Sequence, residues 1–282
     1  MQRSRHISKI SLAYLVIAGL VALLLYPALA WLVSSWRVNP YYSHGFLIPP
    51  VALFFAWRQW RHVMTEPRQG GSWIGLGVTV TSLTAIIWAM FWQNYVIASL
   101  ALVFLLVGLV HYLEGWPRLG PWLFPLLFLV FMVPLPFVDA LSPWFESFTA
   151  RWATGLARLV GITAVQHGGE ILLPGATIVV GAPCSGLRSL VTMITVAAGW
   201  IYLVEGRLLA KLLMLGAVVP LVAFSNVLRI GTLLVVADVF GEQVALTYYH
   251  DWSGVILFLL ALGLLLTLGK VLGCSRLRDD IF

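Results

Sequence analysis

At 282 residues, 61% hydrophobic and only 10% charged, the chain departs from the roughly 45–50% apolar and 25% charged profile of soluble domains. That balance excludes a soluble enzyme and predicts an integral membrane protein. The formal net charge of +6 does not point to nucleic acid, because Lys and Arg sit scattered at the ends of apolar runs, where they set topology.

Uncharged runs such as SLAYLVIAGLVALLLYPALAWLV exceed the roughly 18 residues that mark a membrane-spanning helix, and they lack the period-2 alternation of a barrel strand. The expected fold is an all-α polytopic membrane protein, a single domain over residues 1–282 with about eight spans. These are predicted near residues 10–34, 46–60, 73–92, 94–113, 121–138, 185–204, 208–229 and 252–270. The first run is too long for the apolar core of a signal peptide and has no small-residue cleavage site before Trp36, so it is expected to remain as the first span. The second is short and carries Pro49 and Pro50; the third and fourth meet at a minimal turn around Gln93 and Asn94.

With the N-terminus in the cytoplasm, twelve of the seventeen Lys and Arg residues fall inside: Arg3, Arg5, Lys9, Arg58, Arg61, Arg68, Arg118, Arg207, Lys211, Lys270, Arg276 and Arg278. Both termini are therefore expected to be cytoplasmic. Arg37, Arg151 and Arg158 fall outside, while Arg188 and Arg229 lie in or against the apolar region.

The longest non-spanning stretch, residues 137–183, lies on the outer side in this topology. Its first half places Trp144, Phe148, Trp152, Leu156 and Leu159 at three- and four-residue spacings, as an interfacial amphipathic helix does. In the second half, Ile171 to Leu173, a Pro-Gly pair and Thr177 to Val180 read as a short β-hairpin that returns the chain to the membrane at Cys184.

Cys184 and Cys274 fall at opposite membrane faces, roughly 30 Å apart, which rules out a disulfide between them. Cys184 is then an unpaired thiol on the oxidising side. Pro183 suits a helix start, so Cys184 is expected in or next to the first turn of the sixth span, where the helix dipole favours thiolate. Arg188, four residues on, shares that face and adds to the effect, pairs with a lipid phosphate, or simply anchors the helix, with Cys184 a small packing residue.

If the seventh span begins near Leu208, about twenty residues at 1.5 Å rise bring Arg229 to the outer boundary, level with Cys184. If the helix instead runs to Val239, Arg229 lies roughly 15 Å below its end. Either position makes Arg229 a functional candidate, with a snorkelling anchor as the alternative. Asn226 shares its face and is placed to orient it. His250, at the same depth, precedes the eighth span, which Asp251 or Ser253 is placed to cap. A thiol, an imidazole and a guanidinium at one height suit acyl transfer: nucleophile, acid–base and oxyanion stabiliser. Ser185 and His44 join Arg188, Asn226 and Asp251 as supporting or substrate-contacting candidates. No metal-binding cluster, P-loop or serine-protease motif is present in the sequence, so neither metal nor cofactor is expected.

The blocks APCSGLRSL at Cys184, SNVLRIGTLL around Arg229 and YYHDWSGV around His250 resemble the exosortase group of the exosortase/archaeosortase family. The resemblance extends to YYSHGFLIPP and FPLLFLVFMVPLPF and covers nearly the whole chain. It implies a multi-pass cysteine transpeptidase of the bacterial inner membrane, acting at the periplasmic face on the C-terminal PEP-CTERM sorting signals of exported, membrane-anchored proteins, and linked to exopolysaccharide. Carried over, Cys184 is the nucleophile, Arg229 the transition-state or thiolate stabiliser and His250 the proton-transfer residue. Two rival classes make different demands on the same residues. A non-enzymatic scaffold or transporter for surface polysaccharide needs the arginines but not Cys184, and a lipid-linked glycosyl ligase tolerates alkylation of Cys184.

Overall fold

In a computed structural model, residues 22–181, 184–279 and 281 are described. They form two compact units, one built from residues up to Val38 together with Gly45–Pro134, the other from Asn39–His44 and Leu135 onward. The chain is predominantly helical, and among the described residues four helices are long and apolar enough to cross a membrane, or five if one broken pair counts as a single span.

The first unit is made of helices α1 (Ala22–Val38), α2 (Ile48–Thr65), α3 (Trp73–Phe91), α4 (Tyr95–Glu114) and α5 (Trp116–Phe128). The part of the first predicted span before residue 22 lies outside the described residues. α3 and α4 meet the span criterion and turn at Gln93, whose φ of 52° is left-handed; Asn94 then accepts the Ile97 N–H at 3.1 Å and caps α4. The two helices approach closely because Gly108 leaves room for the Thr79 backbone, which a Cβ at that position would meet at 2.7 Å. α2, interrupted by Arg58, Gln59 and Arg61, is not among the four spanning helices.

The predicted span at 121–138 is broken. α5 runs into a 3-10 turn at Leu129–Met132, and a separate helix, α6 (Pro136–Leu159), follows. Val133 and Leu135 are both extended, as residues before proline must be, and Pro134 and Pro136 supply no N–H to continue the ladder.

In the second unit, α6 leads to a three-stranded antiparallel sheet, β1 (Val165–His167), β2 (Glu170–Leu173) and β3 (Ala176–Val179), in the order β1-β2-β3. The expected two-strand hairpin thus has a further strand in front of it. Ile171 pairs with Ile178 on the inward face, and both are buried with Val180 against Ala150, Ala153 and Ala157 of α6. Helix α7 (Leu187–Leu203) follows, then α8 (Leu208–Phe240), the short α9 (Glu242–Val244), a π-helical turn at Ala245–Tyr249 and α10 (His250–Val271). α8 does not stop at Arg229: its 33 residues carry it eleven residues further, to Phe240. Ile230, Leu233, Leu234 and Ala237 of that extension join the core beneath the sheet, which repays continuing the helix.

Candidate active site

The cysteine sits on the loop that β3 delivers to α7. Cys184 N–H donates to the Gly181 carbonyl at 2.8 Å, and α7 begins only at Leu187, with Gly186 as its N-cap. Cys184 therefore lies next to the first helical turn and not in it; the Pro183 helix start falls outside the described residues. Gly186 adopts φ 82°, and a Cβ there would stand 2.7 Å from Asn226 Cγ. Only glycine satisfies both the left-handed backbone and the close approach of α8.

Asn226 makes that approach useful. Its Nδ2 donates to the Cys184 carbonyl at 2.9 Å and to Thr149 Oγ1 at 3.1 Å, and Thr149 Oγ1 donates to the Ser185 carbonyl at 3.3 Å. α6 and α8 thus grip the loop from two sides, through side chains buried to 1% and 6% exposure. Asn226 braces the thiol loop; among the described residues it makes no hydrogen bond to Arg229, the partner its position had suggested. Buried Ser185 accepts the Leu187 N–H at 3.3 Å and so helps start α7.

Arg229, one turn on from Asn226, is only 9% exposed. Its Nη2 donates to the His250 carbonyl at 3.0 Å and stands 3.0 Å from His250 Nε2. His250 Nε2 in turn lies 3.0 Å from Cys184 Sγ. Nucleophile candidate, imidazole and guanidinium thus meet around a single atom, His250 Nε2. A buried cation of this kind is tolerated only when hydrogen-bonded, and the His250 contacts provide that. Space for the guanidinium comes from Gly254, where a Cβ would lie 3.2 Å from Nη2. A cavity of about 20 Å³, room for one water, lies beside Arg229 and is lined also by Ser189, Ser225 and Asn226.

His250 is aimed by the π-helical turn before it. Tyr249 donates to Thr232 Oγ1 of α8 at 2.6 Å, pinning the turn so that the next residue faces Arg229. π-turns are irregularities that recur at functional sites. The span expected near 252–270 is found at Trp252–Val271, within a helix α10 that begins two residues earlier at His250 with no side-chain cap, and Ser253 donates back to the His250 carbonyl at 3.1 Å. The Asp251 side chain lies outside the described set.

Burial pushes the Cys184 thiol up from its ordinary range, and nearby Arg229 only partly offsets this. Burial thus works against the thiolate that the helix dipole was expected to favour, and the Arg229 charge works for it.

Arg188 and His44 lie elsewhere. Arg188 Nη2 donates to Ser43 Oγ at 3.0 Å, and His44 Nδ1 is 3.5 Å from Thr192 Oγ1. Among the described residues, no hydrogen bond links either to Cys184, Arg229 or His250. Burial, and then the Arg188 charge, hold the His44 pKa below the usual imidazole range. Its ring stacks on Tyr42, centroids 5.9 Å apart.

Thr149, Gly186, Gly254 and the Tyr249–Thr232 pair are the site residues that sequence patterning did not single out. Only Gly186, beside the cysteine and just ahead of a helix, left a readable sign.

Both cysteines are free. The family model described as Transmembrane exosortase (Exosortase_EpsH) matches residues 36–267. No curated protein and no solved structure matches the chain. A match over that range, spanning the loop at Cys184, the α8 arginine and the α10 histidine, establishes the family: this chain is a transmembrane exosortase.

Proposed function

We propose that the protein is a membrane-embedded cysteine transpeptidase that cleaves C-terminal sorting signals, of the PEP-CTERM kind, on membrane-anchored exported proteins. The observation that carries this reading is the meeting of Cys184 Sγ and Arg229 Nη2 at His250 Nε2, each at 3.0 Å. Membership of the exosortase family gives the substrate class its support.

The chemistry follows from hydrogen-bonding capacity. A neutral imidazole nitrogen has one lone pair, so Nε2 accepts from Arg229 or from the thiol, not fully from both. With Arg229 donating, the proton of the ring sits on Nδ1 and Nε2 is the base. When a scissile carbonyl enters, the guanidinium shifts toward its oxygen and frees the Nε2 lone pair. The thiol proton passes to Nε2 as sulfur bonds to the carbonyl carbon, and the carbonyl electron pair becomes an oxyanion held by Arg229. Collapse re-forms the carbonyl and breaks the C–N bond. The leaving amine takes the Nε2 proton, leaving a thioester on Cys184. An amine or water attacks that thioester, gives a proton to His250 and restores the thiol.

The excess of Lys and Arg in the loops assigned to the cytoplasm supports an inner-membrane protein with both termini inside and this chemistry at the periplasmic face. The family match runs from 36 to 267, across both compact units, and supports treating them as one functional domain.

The test is coexpression of a tagged sorting-signal protein with wild type or with Cys184→Ala, followed by mass spectrometry of its C-terminus. A shortened C-terminus confined to wild type is the expected result. Equal shortening with Cys184→Ala overturns the mechanism.

A further inference from the structure

On α6, beyond the face that grips the cysteine loop, a second polar feature takes no part in the proposed chemistry. A cleft of about 540 Å³ opens between α6 and β1, lined by Arg151, Trp152, Thr154, Gly155, Arg158 and Gln166. Two guanidiniums face one space, the Gln166 amide nitrogen being taken up by the Ser147 and Gly168 carbonyls, and none of its described lining residues is acidic. Arg158 is held in place through Nε, which donates to the Ala164 carbonyl at 2.8 Å. Arg151 is exposed and makes no hydrogen bond or ion pair among the described residues. Thr154 is 3% exposed, yet its hydroxyl has no partner among them. A buried hydroxyl left in this state normally costs free energy, and a ligand oxygen in the cleft would relieve it. A Cβ on Gly155 would meet nothing within 4 Å, so the cleft is open at its centre.

The surroundings select among anions. Trp144, Trp152 and Leu159, on the same helix, are 60%, 58% and 83% exposed. Large apolar side chains bordering a cationic cleft are the arrangement by which an interfacial helix seats acyl chains and headgroup together. We infer that this cleft binds the phosphate of an anionic phospholipid headgroup. Arg151 and Arg158 hold the phosphate oxygens, Thr154 completes the hydrogen bonding, and the acyl chains run along the tryptophans. Since Thr149 on the same helix braces the Cys184 loop, the bound lipid fixes the helix that supports the candidate site.

The test uses purified full-length protein in dodecyl maltoside and counts bound lipid by native mass spectrometry. The probes are dioleoylphosphatidylglycerol and dioleoylphosphatidylcholine, with inorganic phosphate as soluble competitor. One phosphatidylglycerol is expected to be retained in preference to phosphatidylcholine. Arg151→Gln, which breaks no described contact, is expected to weaken retention about fivefold, the effect of one interfacial cation. Gly155→Leu keeps both charges but fills the cleft, and is expected to abolish the specific adduct. Cys184→Ala is expected to leave it unchanged, so lipid binding and the proposed reaction can fail separately. Equal retention by wild type and both variants overturns the inference. So does full displacement by millimolar inorganic phosphate, which assigns the cleft to a soluble anion, or displacement by an acidic peptide, which assigns it to a protein partner.

Discussion

The second unit contains two histidine–arginine combinations, and among the described residues only one of them also meets a thiol. His250 and Arg229 share a 3.0 Å contact at Nε2, and a thiol reaches the same nitrogen. His44 and Arg188 carry the same two functional groups, yet Arg188 binds Ser43 and His44 faces Thr192 at a long 3.5 Å. Arg229 is buried and Arg188 exposed. Residue type and depth are therefore not enough to make a site. What separates the two is convergence: a loop braced by Thr149 and Asn226, an arginine inside a long helix and a histidine aimed by a π-turn.

The largest effects should fall on one combination and spare the other. Cys184→Ala is expected to abolish processing of a sorting-signal substrate. His250→Ala is expected to lower it by about 10²–10⁴-fold, the range for a general acid–base, and Arg229→Gln by about 10²–10³-fold, the range for one oxyanion donor. His44→Ala and Arg188→Ala should stay within a few-fold of wild type. A loss at His44 comparable to that at His250 would erase the distinction.

Next come changes to the scaffold of the thiol loop. Gly186→Ala forces a side chain into left-handed backbone, at a cost of about 1–2 kcal/mol, and drives it into Asn226. Its expected signature is a lowered melting temperature together with slower cleavage. Thr149→Val removes the donor to the Ser185 carbonyl and the acceptor for Asn226 Nδ2 while keeping shape, for about 1–3 kcal/mol. A several-fold fall in kcat with KM nearly unchanged would mark it as a positioning residue, whereas a change in melting temperature alone would reduce it to packing.

A smaller effect, on reactivity alone, tests the protonation state. Because burial raises the Cys184 pKa and Arg229 lowers it, the thiol should still be gaining thiolate at pH values where an exposed cysteine has already ionised. Alkylation by a membrane-impermeant maleimide should therefore keep rising with pH beyond the ordinary thiol range. Arg229→Gln should move that rise further upward. A plateau already reached near neutrality would mean a preformed thiolate instead.

The cysteine, arginine and histidine could be nominated from sequence because one is an unpaired thiol on the outer side, one a charge inside an apolar run and one an imidazole at the same depth. Their supports could not. Thr149 lies in an amphipathic helix where threonine carries no periodic signal, and Tyr249 reads as an ordinary interfacial aromatic. Hydropathy placed the α3 and α4 spans closely, since nothing interrupts them. It failed at 121–138, where Pro134 and Pro136 break the backbone inside an apolar run, and of the two ends it left open for the seventh helix, at Arg229 or near Val239, the longer is the one found. The protein buries that charge against the His250 carbonyl and imidazole, so α8 continues for three more turns. Cys184 lies next to the helix start rather than within its first turn, because Gly186 postpones the helix to Leu187, and its sulfur meets His250.

The central claim is that Cys184 forms an acyl-enzyme. It is tested most directly by running the reaction with hydroxylamine present and identifying the new C-terminus of the substrate by mass spectrometry. The account predicts a hydroxamate with wild type and intact substrate with Cys184→Ala. A free carboxylate formed at the same rate by both would contradict it.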